Sequence, residues 1–205
     1  TSGDGQAVGG IVGNIGGGSI SNCVSTVSIK ASGLAYVGGI AGYTKKYTGA
    51  VTVSSCVYAG TELSAEGSAV VGGKTYNSAA GAIIGHQYQG NVTLSNLYYD
   101  SDLFGADGGI GATTKGGSYT TTGSATGVPD VNSEDVVCPL NGGTMNDGEC
   151  SKDSPWSVGE SSVSLYGSDG FTVTFNAKSG AFPDGAKKKK IILKDKIITP
   201  EEISA

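Results

Sequence analysis

Val8 to Gly13 reads V-G-G-I-V-G, and the chain writes that phrase three times: Val37 to Gly42 is V-G-G-I-A-G and Ala80 to Gly85 is A-G-A-I-I-G. A loop of variable length follows each copy. After it comes a short alternating stretch: Ser19-Ile20-Ser21-Asn22-Cys23, Thr52-Val53-Ser54-Ser55-Cys56 and Thr93-Leu94-Ser95-Asn96-Leu97. Self-similarity at a spacing of tens of residues is the mark of units that bury their apolar faces by stacking on one another. The alternation sends Thr52 and Thr93 outward and the aliphatics inward. Three inward columns are expected: Ile11, Ile40 and Ile83; Ile20, Val53 and Leu94; Cys23, Cys56 and Leu97. The paired glycines before Ile11 and Ile40 allow either a positive φ or a close approach of neighbouring backbone.

The composition points the same way. Apolar residues make up 38% of the 205 and charged residues 15%, while Gly numbers 36, too little apolar mass for a thick two-layer core. Val, Ile, Thr and Tyr are plentiful and no collagen-like triplet accompanies the glycine, so the order expected is β-strand. All 13 basic residues are Lys and the net charge is −5, which disfavours nucleic acid, where bidentate Arg and a basic surface dominate. No stretch is long and apolar enough to span a membrane as a helix. The chain opens on Thr1 with no leader-like segment, as expected of a piece of a longer or processed protein.

The G-G/A-I-x-G cores, the Asn22-Cys23 and Ser55-Cys56 pairs and the Tyr98-Tyr99-Asp100 ending resemble the GLUG repeat of long bacterial surface and secreted proteins. The resemblance covers about residues 7–100 and implies a parallel β-solenoid. The third copy departs from the pattern, with Ala82 for Gly and Leu97 for Cys, as expected of a terminal coil. Farther on, Gly170-Phe171-Thr172-Val173-Thr174-Phe175-Asn176 and then Pro183-Asp184-Gly185 resemble the opening half of the Listeria–Bacteroides surface repeat, a small β-grasp-like module. This implies a partial module over about 170–205. Its strands, Phe171 to Phe175 and Lys190 to Ile198, are expected to pair with the cap of the solenoid or with another chain.

Between these regions, 101–127 reads as a Gly/Ser/Thr-rich hairpin or loop. Asn132 to Leu140 reads as one short helix, with polar N-terminal caps and Pro139 limiting it. Trp156 is expected to cover the open end of the stack. The architecture expected is therefore all-β: a solenoid over 1–127, a capping segment over 128–167 and a β-grasp-like strand pair over 168–205.

Candidate chemistry is sparse. The single His, His86, has no nucleophile-elbow Ser to serve, follows Gly85 where earlier copies carry Asn14 and Tyr43, and reads as a loop residue. Asp100, Asp102 and Asp107 lack any calcium-loop pattern and read as turn residues. No C-x-x-C pattern occurs, so neither metal nor cofactor is expected. The run Lys187 to Lys190 reads as a solvated strand face. Cys23 and Cys56, in one stacked column, read as small buried hydrophobes in preference to a bridge. Cys138 and Cys150 bracket a short loop that fits either a bridge or two thiols.

Insertions in stacked repeats gather on one face, often the binding face. Here they carry Tyr43, Lys45, Lys46, Tyr47, His86, Gln87 and Tyr88, rings and donors suited to sugar faces or a protein partner. The resemblance implies a non-catalytic adhesin or stalk segment, secreted or on the cell surface, with a host glycan or surface protein as ligand. The alternative is an accessory region of a secreted peptidase such as an IgA-cleaving metallopeptidase.

Overall fold

A computed structural model describes residues 5–45, 49–105, 108–113, 119–152, 155–159, 162–165, 171–176 and 188–193. Among the described residues the protein is all-β apart from two short helices. The first pass of the chain supplies β1 (Gln6–Gly9), β2 (Val12–Ile15), β3 (Gly18–Ser25) and β4 (Ile29–Ser32). The second repeats the order with β5 (Ala35–Gly38), β6 (Ala41–Thr44), β7 (Val51–Tyr58) and β8 (Leu63–Glu66). A hairpin of β9 (Ser68–Val71) and β10 (Lys74–Asn77) intervenes, turning on Gly72 and Gly73 at φ 58° and 77°. The third pass is β11 (Ala79–Gly81), β12 (Ile84–Gln87) and the long β13 (Gly90–Asp100).

Each pass lays its strands parallel on those of the pass before. The sheets run β1-β5-β11, then β2-β6-β12 and β3-β7-β13, and β4 pairs β8 as a further parallel pair in the first two passes. The expected columns are in register: Ile20 beside Val53 beside Leu94, and Cys23 beside Cys56 beside Leu97. Ile20 and Cys23 lie three residues apart yet serve the same core, which simple alternation forbids. The residue between makes this possible: Asn22, Ser55 and Asn96 all sit in the left-handed region, at φ 54°, 50° and 50°. Each turns its strand by one residue, and Asn tolerates that conformation better than most side chains.

The glycines of the repeat are required for close approach. A Cβ on Gly38 would fall on the carbonyl oxygen of Ala41 and against the amide of Gly85, so the first two sheets press backbone to backbone. A Cβ on Gly39 would fall on the carbonyl of Ala82 and the ring of Tyr58. The arcs themselves stack: the amide of Ile11 donates to Ile40 O at 3.1 Å, Ile40 to Ile83 O at 3.1 Å, and Ile83 to Gly109 O at 2.9 Å.

The core between the second and third sheets holds Ile40, Ile83, Ile84, Val53, Leu94, Cys56, Leu97, Tyr58 and Tyr99. Ile40 and Ile83 are fully buried, but Ile11 is 44% exposed. The isoleucine column is thus an arc column throughout and a core column only from the second pass on, since among the described residues no further pass stacks over Ile11.

Residues 101–127 do not form the expected hairpin or loop. After α1 (Ser101–Phe104), β14 (Ile110–Thr113) adds to β12, and β15 (Tyr119–Thr122) and β16 (Thr126–Val128) add to β13, all parallel. The third pass is therefore not terminal. The fourth escapes notice in the sequence because Ile110 pairs with Ile84 while Gly109 takes the isoleucine position of the arc.

The segment after β16 packs on the flank of the third sheet. Helix α2 (Glu134–Leu140) is short and holds Pro139 in its last turn, as expected, but the expected cap is not made: the Ser133 side chain at its N-cap forms no capping hydrogen bond. Val136, Val137, Leu140 and Trp156 join Val57 and Tyr98, which point away from the main core. Trp156 therefore covers the side of the stack and not its open end, because Val57 and Tyr98 leave an apolar stripe on the outer face of β7 and β13. Asn141 holds it there, accepting from Trp156 N at 2.7 Å and donating to Trp156 O at 3.0 Å. Three small antiparallel pairs follow: β17 (Met145–Asn146) with β18 (Glu149–Cys150), β19 (Trp156–Ser157) with β20 (Ser164–Leu165), and β21 (Phe171–Asn176) with β22 (Lys188–Leu193). The last two strands pair with each other as the expected strand pair, Val173 opposite Ile191, and among the described residues neither pairs with the capping segment; residues 194–198 of the expected second strand lie outside the described residues. Lys188 to Lys190 lie in β22, and Lys187 lies outside the described residues.

Candidate functional site

The residues expected to form a binding strip cluster around the second and third passes. Tyr36 of β5 is flanked in register by Ala7 and Ala79, two small residues that leave its ring room. Tyr43 of β6 lies between Asn14 and His86, and Ala112 follows His86 in the next strand. His86 occupies the position shared with Asn14 and Tyr43, but it sits in a strand and not in a loop.

These rings meet across the first two sheets. Tyr36 and Tyr43 stack with centroids 5.3 Å apart, and His86 lies 4.3 Å from Tyr36 and 5.5 Å from Tyr43. Tyr88 extends the row, 5.9 Å from Tyr43, with Lys45 Nζ 5.7 Å from the Tyr88 centroid. Tyr36, Tyr43 and His86 are 4%, 5% and 6% exposed, so they are the packed floor of the site. Tyr88 and Lys45 are half-buried and supply its surface. Gln87 is fully buried and turns to the main core, where its Oε1 accepts from Thr121 Oγ1 at 2.7 Å. Lys46 and Tyr47 lie outside the described residues.

Burial pushes the His86 imidazole down to about 4, so the ring is neutral at pH 7. It packs there as an aromatic plate. Among the described residues the face offers outward the Tyr88 ring with the Lys45 ammonium beside it, chemistry that stacks on an apolar sugar face and donates to hydroxyl or carboxylate oxygen.

Elsewhere, Asp100 caps α1: its carboxylate accepts from the amides of Asp102 and Leu103 at 2.8 and 3.3 Å. Asp107 is outside the described residues. Among the described residues no group of three metal-ligating side chains comes together. Cys138 and Cys150 form a disulfide with Cα atoms 5.5 Å apart, whereas Cys23 and Cys56 are thiols. A cavity of about 220 Å³ opens where the fourth pass thins, lined by Leu94, Tyr99, Ile110, Thr121 and Ala125.

Sequence reasoning passed over Tyr36, whose signal was available: it precedes the second V-G-G-I core where the other copies have Ala7 and Ala79. It also passed over the fourth pass, the left-handed corner and the β9–β10 hairpin.

No curated protein and no solved structure matches the chain. The family model described as the GLUG motif matches residues 4–30, a stretch that takes in β1, β2 and β3 and enters β4, so that the motif is similar to most of one pass through the sheets.

Proposed function

We propose that the chain is a β-solenoid segment of an exported bacterial surface protein, an adhesin or stalk that spaces and displays a binding face. The carrying observation is the register of the three passes, Cys23–Cys56–Leu97 and Ile20–Val53–Leu94, strand upon parallel strand. Successive coils rise by about 4.8 Å each, and such stacks serve as rigid spacers. The similarity of residues 4–30 to the GLUG motif supports a repeat of surface proteins. The Cys138–Cys150 disulfide supports passage through an oxidising compartment. On this reading residues 1–127 are the solenoid and 128–167 its flank cover. Residues 168–205 form the opening half of a Listeria–Bacteroides-type module, whose β21–β22 hairpin is its first element.

The displayed face is that of Lys45 and Tyr88 over the Tyr36–Tyr43–His86 floor, and its ligand is a glycan or a surface protein. Antibody raised to the chain, applied to intact source cells before and after protease shaving, tests the location. Labelling that shaving removes is expected; a signal that appears only on lysis would overturn the reading. A glycan array and a host-cell binding assay with wild type and Lys45→Ala/Tyr88→Ala test the face. A weakened signal is expected, and equal signals would refute it.

A further inference from the structure

We propose that Cys23 and Cys56 are a second disulfide site, which on oxidation staples the first pass of the stack to the second. The two residues are register partners on the parallel strands β3 and β7. Neighbouring strands lie about 4.8 Å apart, inside the roughly 4.4–6.8 Å between Cα atoms that a disulfide spans. Both follow a left-handed residue, Asn22 or Ser55, and both side chains are set the same way: each thiol donates to the carbonyl two residues back, Ser21 O at 3.2 Å and Ser54 O at 3.1 Å. The third member of the column is Leu97, so the column offers one pair.

The two thiols differ in access. Cys56 is fully buried, and burial raises it to about 12. Cys23 sits half-buried on the outermost strand of its sheet. Cys23 is therefore the point of entry. The oxidant is a dialkyl disulfide of the glutathione type. The Cys23 thiolate attacks one of its sulfurs, the S–S bond breaks, and one thiol leaves with the proton that Cys23 gave up. Cys56 Sγ then attacks Cys23 Sγ, its proton passing to the second departing thiol. Two protein thiols lose two electrons and one small disulfide becomes two thiols. The oxidising setting rests on the export reading above, but the thiol chemistry is tested without it, so failure here leaves that reading standing.

The purified full chain, Cys138–Cys150 intact, is incubated with oxidised glutathione, quenched with an alkylating agent and mapped by mass spectrometry without reduction. The expected product has lost two hydrogen atoms and yields a peptide pair joined through Cys23 and Cys56. Cys56→Ser is expected to stop at a glutathione adduct on Cys23, and Cys23→Ser to react at least tenfold more slowly than wild type. In the stapled protein, amides of β1 to β3 are expected to exchange at least tenfold more slowly. A wild type that accumulates the Cys23 adduct without closing, or keeps both thiols while a denatured sample oxidises readily, would overturn the proposal. So would a cross-link between two chains in place of the internal one.

Discussion

Gly39→Ala is expected to destabilise the protein by about 3 kcal/mol or more, and the reason is steric and local. Gly39 is not among the glycines held at positive φ, so alanine can adopt its backbone conformation without strain. In open space the substitution would stabilise by about 0.4–1 kcal/mol through the unfolded chain. At Gly39 the added methyl meets the carbonyl of Ala82 and the Cγ and Cδ2 atoms of Tyr58. Ala82 and Tyr58 are both fully buried. Tyr58 is moreover pinned through its hydroxyl, which donates to Val27 O at 2.8 Å, so the ring cannot swing clear. Overpacking of a closed core costs about 1–3 kcal/mol and more where backbone must move, and here one of the two obstacles is backbone. Gly49→Ala is the control, with nothing within 4 Å of its methyl and no positive φ; it is expected to gain the 0.4–1 kcal/mol. Urea denaturation followed by far-UV circular dichroism reads both. With a slope of about 2 kcal/mol/M, Gly39→Ala lowers the midpoint by about 1.5 M. A midpoint within about 0.2 M of wild type would refute the backbone-to-ring contact on which the stacking of arcs rests.

Three further outcomes are expected. Ser55→Val is expected to cost about 1–2 kcal/mol, because a β-branched side chain resists the left-handed region, whereas Ser55→Asn, the residue found at the corners of the other two passes, is expected to hold or raise the urea midpoint; equal midpoints for Val and Asn would remove the corner. His86 binds a proton far less readily folded than unfolded, its value falling from 6.5 to about 4. The unfolded chain therefore takes up more protons in that interval, and the stabilisation, on the order of 3 kcal/mol, is full above pH 6.5 and fades as pH falls toward 4. His86→Phe keeps a ring and removes the titration, so the loss of melting temperature between pH 7.5 and 4.5 is expected to be smaller than in wild type; identical losses would refute the buried neutral imidazole. Replacing Cys138 and Cys150 together by Ser is expected to cost about 3 kcal/mol in the loop-entropy account, read as a lower urea midpoint of Trp156 fluorescence, since the bridge anchors α2 beside that ring; an unchanged midpoint would show that the bridge adds nothing there.

The repeat was legible in the sequence wherever side chains repeat with it. Ile20, Val53 and Leu94 announce a column because each is flanked by Ser or Thr. Trp156 showed that something apolar needs cover, but not which face, since the stripe of Val57 and Tyr98 becomes an outer stripe only after the turn at Ser55 and Asn96. That turn is a backbone event, and Ser55 carries no sign of it. The fourth pass was hidden because its arc carries Gly109 in place of isoleucine, and a missing side chain leaves no periodic mark. At the site, Tyr43 and His86 were rightly aligned by position, but their depth depends on Tyr36 reaching them from a different sheet. No spacing along one strand conveys how close two sheets lie; the glycines Gly38 and Gly85, which set that closeness, carry no side chain to pattern.

The direction of the backbone ladders has a mechanical consequence. Every rung between passes points along the stacking axis, so tension that separates the two ends of the stack passes through all the ladders in series and the weakest yields first. The molecule is then expected to lengthen by discrete events, each freeing one turn. Roughly 30 residues from β1 to β5 would release about 100 Å of slack, which makes the turn a unit of extension as well as a unit of packing.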